Sequence, residues 1–177
     1  MPEISPEQRD YLTRAGIGPK LHGESLRTKF PNVAMMVEQS QEFQDFQFGR
    51  KGLLMQGGRP ALLASKLLVR AFILSGHTGL VVSLARLNSL LRAEEHDGSQ
   101  EAADLLNSKV ICITNFQNDK ESPLTSYGQA LVEDWLECRM EHDDQTIIHT
   151  TEEGFPWWDK ATVELIADEF VRLRFDV

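Results

Sequence analysis

The chain has 177 residues, 41% of them hydrophobic, with 18 Lys and Arg against 27 Asp and Glu, a formal net charge of −9. That length suffices for one domain with a core, and the acidic balance argues against nonspecific nucleic-acid binding as the main task, because such binding needs dense Lys and Arg to displace counterions. No apolar run reaches the ~18 residues of a transmembrane helix, and the N-terminal MPEISPEQRDYL lacks the basic start and apolar stretch of a signal peptide, so a cytoplasmic protein without a membrane partner is expected.

In chain order, residues 1–30 read as a polar lead-in and residues 31–177 as a single domain. Within the lead-in, SPEQRDYLTRAGI predicts a short helix, with Ser5 as N-cap, Pro6 at the first helical position and Gly16 closing it. Residues 32–47 carry helical spacing at Val33, Met36, Val37 and Phe43, with Asn32 as cap. KGLLMQ is a short apolar strand ended by Gly57-Gly58-Arg59-Pro60, and ALLASKLLVRAFILSG is a strong helix closed by Gly76. HTGLVVSLARL supplies a second strand over Leu80 to Leu84, followed by a polar helix over roughly 86–95.

EEHDGSQ reads as a loop, EAADLLN as a short helix, and KVICITNF as a third strand apolar enough to be buried on both faces. QNDKESPLTSYG is a loop, SYGQALVEDWLECRMEH a helix, QTIIHTT a fourth strand, EEGFPWWDK a turn, and ATVELIADEFVRLRF a last helix. Strands alternating with helices imply a three-layer α/β fold, a mainly parallel sheet flanked by helices. Ligands of such sheets bind beyond the C-terminal strand ends, and the GGRP turn is one such end.

The order of segments resembles the DnaC-type bacterial helicase loaders and the related IstB-like transposition ATPases of the AAA+ group, over residues 12–172. TRAGIGPKLHGESL looks like their entry segment and GLLMQGGRP like the strand and loop that open their Walker A motif. VVSLARLNSLL is similar to their second strand and following helix, KVICITNF (without identical residue order at its start) to their Walker B strand, and QTIIHTTEE to their sensor strand. The resemblance implies a P-loop NTPase-like domain, with ATP and magnesium as the family's cofactors and DNA replication or a mobile element as its setting.

The departures bear on chemistry. A working phosphate loop has the form GxxxxGK[ST], in which amides cradle phosphates, lysine reaches the outer phosphates and the hydroxyl holds magnesium. Counted from Gly57, the frame reads Gly57-Gly58-Arg59-Pro60-Ala61-Leu62-Leu63-Ala64, so Leu63 replaces the lysine and Ala64 the hydroxyl. Lys66 comes three residues late and Ser65 one, in the wrong order, which carries Lys66 about 4.5 Å further along the helix and away from a phosphate. After VICI, Thr114 and Asn115 stand where the two Walker B carboxylates belong. The sensor strand ends in His149, Thr150 and Thr151, without the family's asparagine. Arg172 and Arg174 are candidates for the arginine finger.

These losses predict a noncatalytic protein, with no cofactor, that acts by contact with a replicative helicase, its loader or a related ATPase, as adaptor or inhibitor; a homo-oligomer is compatible with it. The rival is an atypical active ATPase that uses Lys66 or Arg59. A third reading is a single-stranded DNA-binding module built on Arg86, Arg92 and the Trp157-Trp158 turn. In Phe155-Pro156-Trp157-Trp158, one tryptophan is expected to pack and the other to face a partner. Gly57-Gly58 also reads as a plain strand-to-helix turn and Arg59 as a solvated arginine. His142, Asp143, Asp144 and His149 match no zinc spacing, Glu94, Glu95, His96 and Asp97 read as a solvated loop, and Cys112 and Cys138 as free buried thiols.

Overall fold

The computed structural model describes residues 4–94, 99–117, 123–152 and 154–175; Glu95, His96 and Asp97 of the acidic loop, residues 118–122 of the loop after the third strand, and Glu153 of the aromatic turn lie outside them. The helices are α1 Pro6–Arg14, α2 Leu26–Lys29, α3 Pro31–Gln39, α4 Gln41–Gln47, α5 Arg59–Leu74, α6 Leu84–Glu94, α7 Gln100–Asn107, α8 Ser126–Glu141 and α9 Lys160–Glu169. The strands are β1 Gly52–Gln56, β2 Gly79–Ser83, β3 Val110–Thr114, β4 Gln145–Thr150 and β5 Phe170–Arg174. They form one parallel sheet in the order β2-β3-β4-β1-β5.

Side chains alternate across this sheet, as the pleat requires. Leu54, Ile111, Ile113 and Ile148 join the core that also holds Leu87, Leu136 and Ile166 of α6, α8 and α9. Leu53, Met55, Cys112 and Ile147 join the opposite core, with Leu12, Val37, Phe46 and Leu68 of α1, α3, α4 and α5. Every residue of β1, β3 and β4 is buried, as the unbroken apolar run of β3 predicts.

The N-terminal segment is part of this packing. Ser5 and Gln8 close a capping box on α1, and Gly16, at φ 82°, ends it. Leu12, Ala15 and Ile17 are buried. The Arg70 guanidinium, buried on α5, donates from Nε to the His22 carbonyl at 2.9 Å and ties the segment down.

Two sequence expectations are corrected. Residues 32–47 form two helices, because Ser40 adopts extended backbone (φ −83°, ψ 128°) between α3 and α4. The last helix stops at Glu169, and residues 170–174 are β5. Val171-Arg172-Leu173-Arg174 alternates apolar and charged side chains with period two, and pairing with β1 decides between strand and helix there.

Candidate functional site

The C-terminal ends of β1, β3 and β4 lie side by side, at Gln56, Thr114 and Thr150. Gly57 follows β1 with its N–H donating to the Thr150 carbonyl at 2.9 Å. Its φ is 142°, and a Cβ there would sit 2.9 Å from the Phe175 carbonyl oxygen, so the position requires glycine. Gly58 is the N-cap of α5 without a side-chain cap, and Arg59 and Pro60 are its first two residues.

Only Gly57 and Gly58 therefore join strand to helix. A strand–GxxxxGK[ST]–helix segment has a longer loop, whose successive amides curl around phosphate oxygens. In this turn Pro60 also removes one of the free N–H groups of the helix start. Leu63 and Ala64 lie past the first turn of α5, and Ala64 is fully buried in the core. Counted from the helix start, Gly58 and Arg59 stand where a working loop has its glycine and lysine, and Pro60 stands at the hydroxyl. Arg59 is exposed.

Lys66 sits seven residues further along α5, about 10 Å along the axis. It is half-buried and close enough to Cys112 and His149 to bias both. Burial pushes the Cys112 thiol up to about 12, against the opposing pull of Lys66 and Ser65.

At the end of β3, Thr114 is buried and Asn115 turns through φ 55°. This left-handed residue directs Phe116 inward. The Phe116 N–H donates to the His149 carbonyl at 3.0 Å. Its ring stacks on Trp158 at 4.4 Å between centroids and 7° between planes, and meets Phe155 edge-on at 6.0 Å. The Trp158 indole N–H donates to the Phe116 carbonyl at 3.1 Å. Beside the position where Walker B carboxylates would emerge, the chain thus builds an aromatic plug. Trp158 is its packed member, not a surface anchor, while Trp157 is 39% exposed. The plug was half-legible: the paired tryptophans signalled it, but Phe116 read only as the tail of a strand.

At the end of β4, the His149 side chain is buried, and its Nε2–H donates to the Gly57 carbonyl at 3.1 Å. Burial lowers its pKa, opposed by the Gly57 and Gly58 carbonyls. Nδ1 is buried without a partner among the described residues, which fits a neutral ring protonated at Nε2. His142, Asp143 and Asp144 precede β4 and lie at the opposite end of that strand from His149, so the structure does not bring them to His149. Asp144 instead accepts from Lys109 Nζ at 2.8 Å. Among the described residues no group of three or more His, Cys, Asp or Glu is placed to hold a metal ion.

Of the remaining candidates, Arg86 is paired with Glu101. Arg92 donates to Thr125 Oγ1 at 3.0 Å and lies over the Tyr127 ring. Arg172 and Arg174 are exposed on β5, with Arg174 in register with Gln56. Cys138 is exposed on α8 rather than buried, because it falls on that helix's outer face. Among the described residues no helix is long and apolar enough to cross a membrane.

A five-stranded parallel sheet with β4 inserted between β1 and β3, and a β1–α5 turn beside the ends of both, is the fold of AAA+-type P-loop ATPases. No protein-family model matches the sequence, and no curated protein matches it either. Among solved structures, the DnaC helicase loader is similar at a TM-score of 0.61 and 16% identity, over 94% of this chain and 99% of that one. Domain III of the Thermotoga maritima replication initiation protein DnaA is similar at 0.59 and 12% identity, over 98% of this chain and 69% of that one. A replication initiator DnaA bound to AMPPCP and single-stranded DNA is similar at 0.58 and 11% identity, over 98% and 51%. These likenesses establish the fold.

Proposed function

We propose that this chain is a noncatalytic, helicase-loader-like protein of DNA replication or of a mobile element such as a phage. It acts in the cytoplasm by binding a replicative helicase, its loader or a related ATPase, as adaptor or inhibitor. The observation that carries this reading is the two-residue turn between Gln56 and Arg59. It leaves no loop to wrap a triphosphate. Thr114, Asn115 and Phe116 beside it supply no carboxylate for magnesium or for activating water. Charge stabilisation is the larger part of phosphoryl-transfer catalysis, so ATP and magnesium are not cofactors in this reading. The names of the similar structures, a helicase loader and replication initiators, support the replication setting. A body with an ATPase's shape and no turnover would occupy an ATPase's binding surface without advancing its cycle.

The position of Arg59 at the helix start favours one second reading, an ATP site in which this guanidinium replaces the lysine. Calorimetric titration with ATP and magnesium, beside affinity capture with purified helicase and loader, separates the two. The noncatalytic reading expects capture without nucleotide binding. ATP binding with turnover that Arg59→Ala or Lys66→Ala abolishes would establish the rival, and capture of no replication component would remove the primary reading.

A further inference from the structure

The two edges of the sheet are finished differently. At β2 the N-terminal segment closes the edge: the Val81 N–H donates to the Ala15 carbonyl at 2.8 Å and the Gly79 N–H to Tyr11 Oη at 3.2 Å. Gly16 packs so closely there that a Cβ would lie 2.7 Å from the Val81 carbonyl oxygen.

At the other edge β5 pairs with β1, in register from Gly52↔Phe170 to Gln56↔Arg174. The Phe175 N–H donates to the Gln56 carbonyl at 2.8 Å. Main-chain groups alternate in direction along a strand, so Val171 and Leu173 also turn theirs toward β1. Arg172 and Arg174 turn their N–H and C=O outward. Among the described residues nothing pairs with these outward groups. A depression of about 400 Å³ lies beside the strand, between Glu42 and Asp45 of α4, Lys51 and the 170–172 stretch. The edge is therefore reachable from solvent.

We propose that this edge takes an extended segment of a partner protein as a sixth strand, and that the segment carries acidic side chains at alternate positions. The proposal deepens the protein-contact reading above and rests on it. Charge selects the occupant. Arg172 and Arg174 project on one face, exposed, and form no ion pair among the described residues. Val171 and Leu173 lie half-buried on the other face. A strand matched to both faces alternates carboxylates with aliphatic residues. A second copy of this chain does not fit through β5 itself, because a two-fold pairing sets arginine against arginine, and like charges directly opposite are destabilising. Charge on an edge strand deters indiscriminate pairing; here the same two arginines would admit an acidic strand and reject a basic one.

The test titrates the capped peptide Ac-(Glu-Val)4-NH2 into the full chain and follows amide exchange residue by residue. The Arg172 and Arg174 amides should exchange at least about tenfold more slowly, while those of Val171 and Leu173, already bonded to β1, change less. Ac-(Lys-Val)4-NH2 should give no protection. Affinity should fall about tenfold in R172E/R174E and survive in R172K/R174K. It should also fall in Arg172→Pro, which removes one outward donor and leaves the β1 ladder intact. Should Arg172→Pro fail to fold, R172E/R174E carries the test, since its side chains lie in solvent. Unprotected Arg172 and Arg174 amides, equal protection by the lysine peptide, or undiminished binding in R172E/R174E would each overturn the proposal. A replication ATPase captured equally by wild type and R172E/R174E would sink the edge and leave the function standing. Peptide binding without capture of such an ATPase would do the reverse.

Discussion

His149 Nε2–H donates to the Gly57 carbonyl at 3.1 Å, so the end of β4 holds the β1–α5 turn through one buried imidazole. Burial disfavours the charged ring and sets its folded pKa below the ordinary value of about 6.5. Between those two values the unfolded chain binds more protons, so stability rises with pH there. The protein should hold this contribution above about pH 6.5 and lose it as pH falls through the depressed folded value. Melting curves from pH 7.5 to 5 should therefore decline more steeply for wild type than for His149→Asn. Identical pH profiles would show that the latch does not titrate in the fold.

The Phe116–Trp158 stack should be a stability element. Trp158→Ala removes a buried indole and is expected to cost about 3–5 kcal/mol. Trp158→Phe keeps a ring and strands the Phe116 carbonyl, for about 1–3 kcal/mol. Urea denaturation at constant m-value reads both, and a loss below about 1 kcal/mol in Trp158→Ala would mean that the plug is not integral.

Arg139 on α8 is buried, and it donates to Thr146 Oγ1 and to the carbonyls of Ser108, Lys109 and Gln145. Burial pushes its pKa down to about 10, with Asp144 opposing, so the guanidinium remains charged at neutral pH. Arg139→Ala leaves several buried acceptors unpaired and should destabilise by about 3–5 kcal/mol. Arg139→Lys should recover little, because an ammonium cannot span this planar set of acceptors. Full rescue by lysine in the same urea experiment would refute the geometric role.

The two thiols should react separately. Cys112 is fully buried with its pKa pushed up to about 12, whereas Cys138 is exposed. A disulfide reagent at pH 8 should label one thiol per folded chain quickly and the second only after denaturation. Two fast thiols would contradict the packing of β3 against α5.

Nucleotide should leave stability unchanged. A ligand present at about 100 times its Kd stabilises by about 2.7 kcal/mol, which is several degrees for a chain of this size. Millimolar ATP with magnesium should give no such rise in Tm. A clear rise, absent in Arg59→Ala, would favour the ATPase reading.

What the sequence determined by itself was the alternation of elements and the residue types that stand at their ends. Local signals suffice there: Ser5 and Pro6 start α1, Gly16 and Gly76 close their helices, and the unbroken apolar run of β3 announces burial on both faces. That Thr114, Asn115 and Phe116 carry no carboxylate is likewise a matter of residue type, legible without a fold. The tertiary structure decided whatever depends on which backbone a residue meets. Residues 170–174 carry a period that a helix extension tolerates, and pairing with β1 made them a strand. Counting from Gly57 placed Leu63 at the mouth of a loop, whereas the early start of α5 withdrew it into a helix. The His149–Gly57 bond and the Phe116–Trp158 stack join positions 92 and 42 residues apart. Contacts at that separation form only once the sheet has set its strand order, because side-chain spacing records which face a residue shows and not which strand lies beside it.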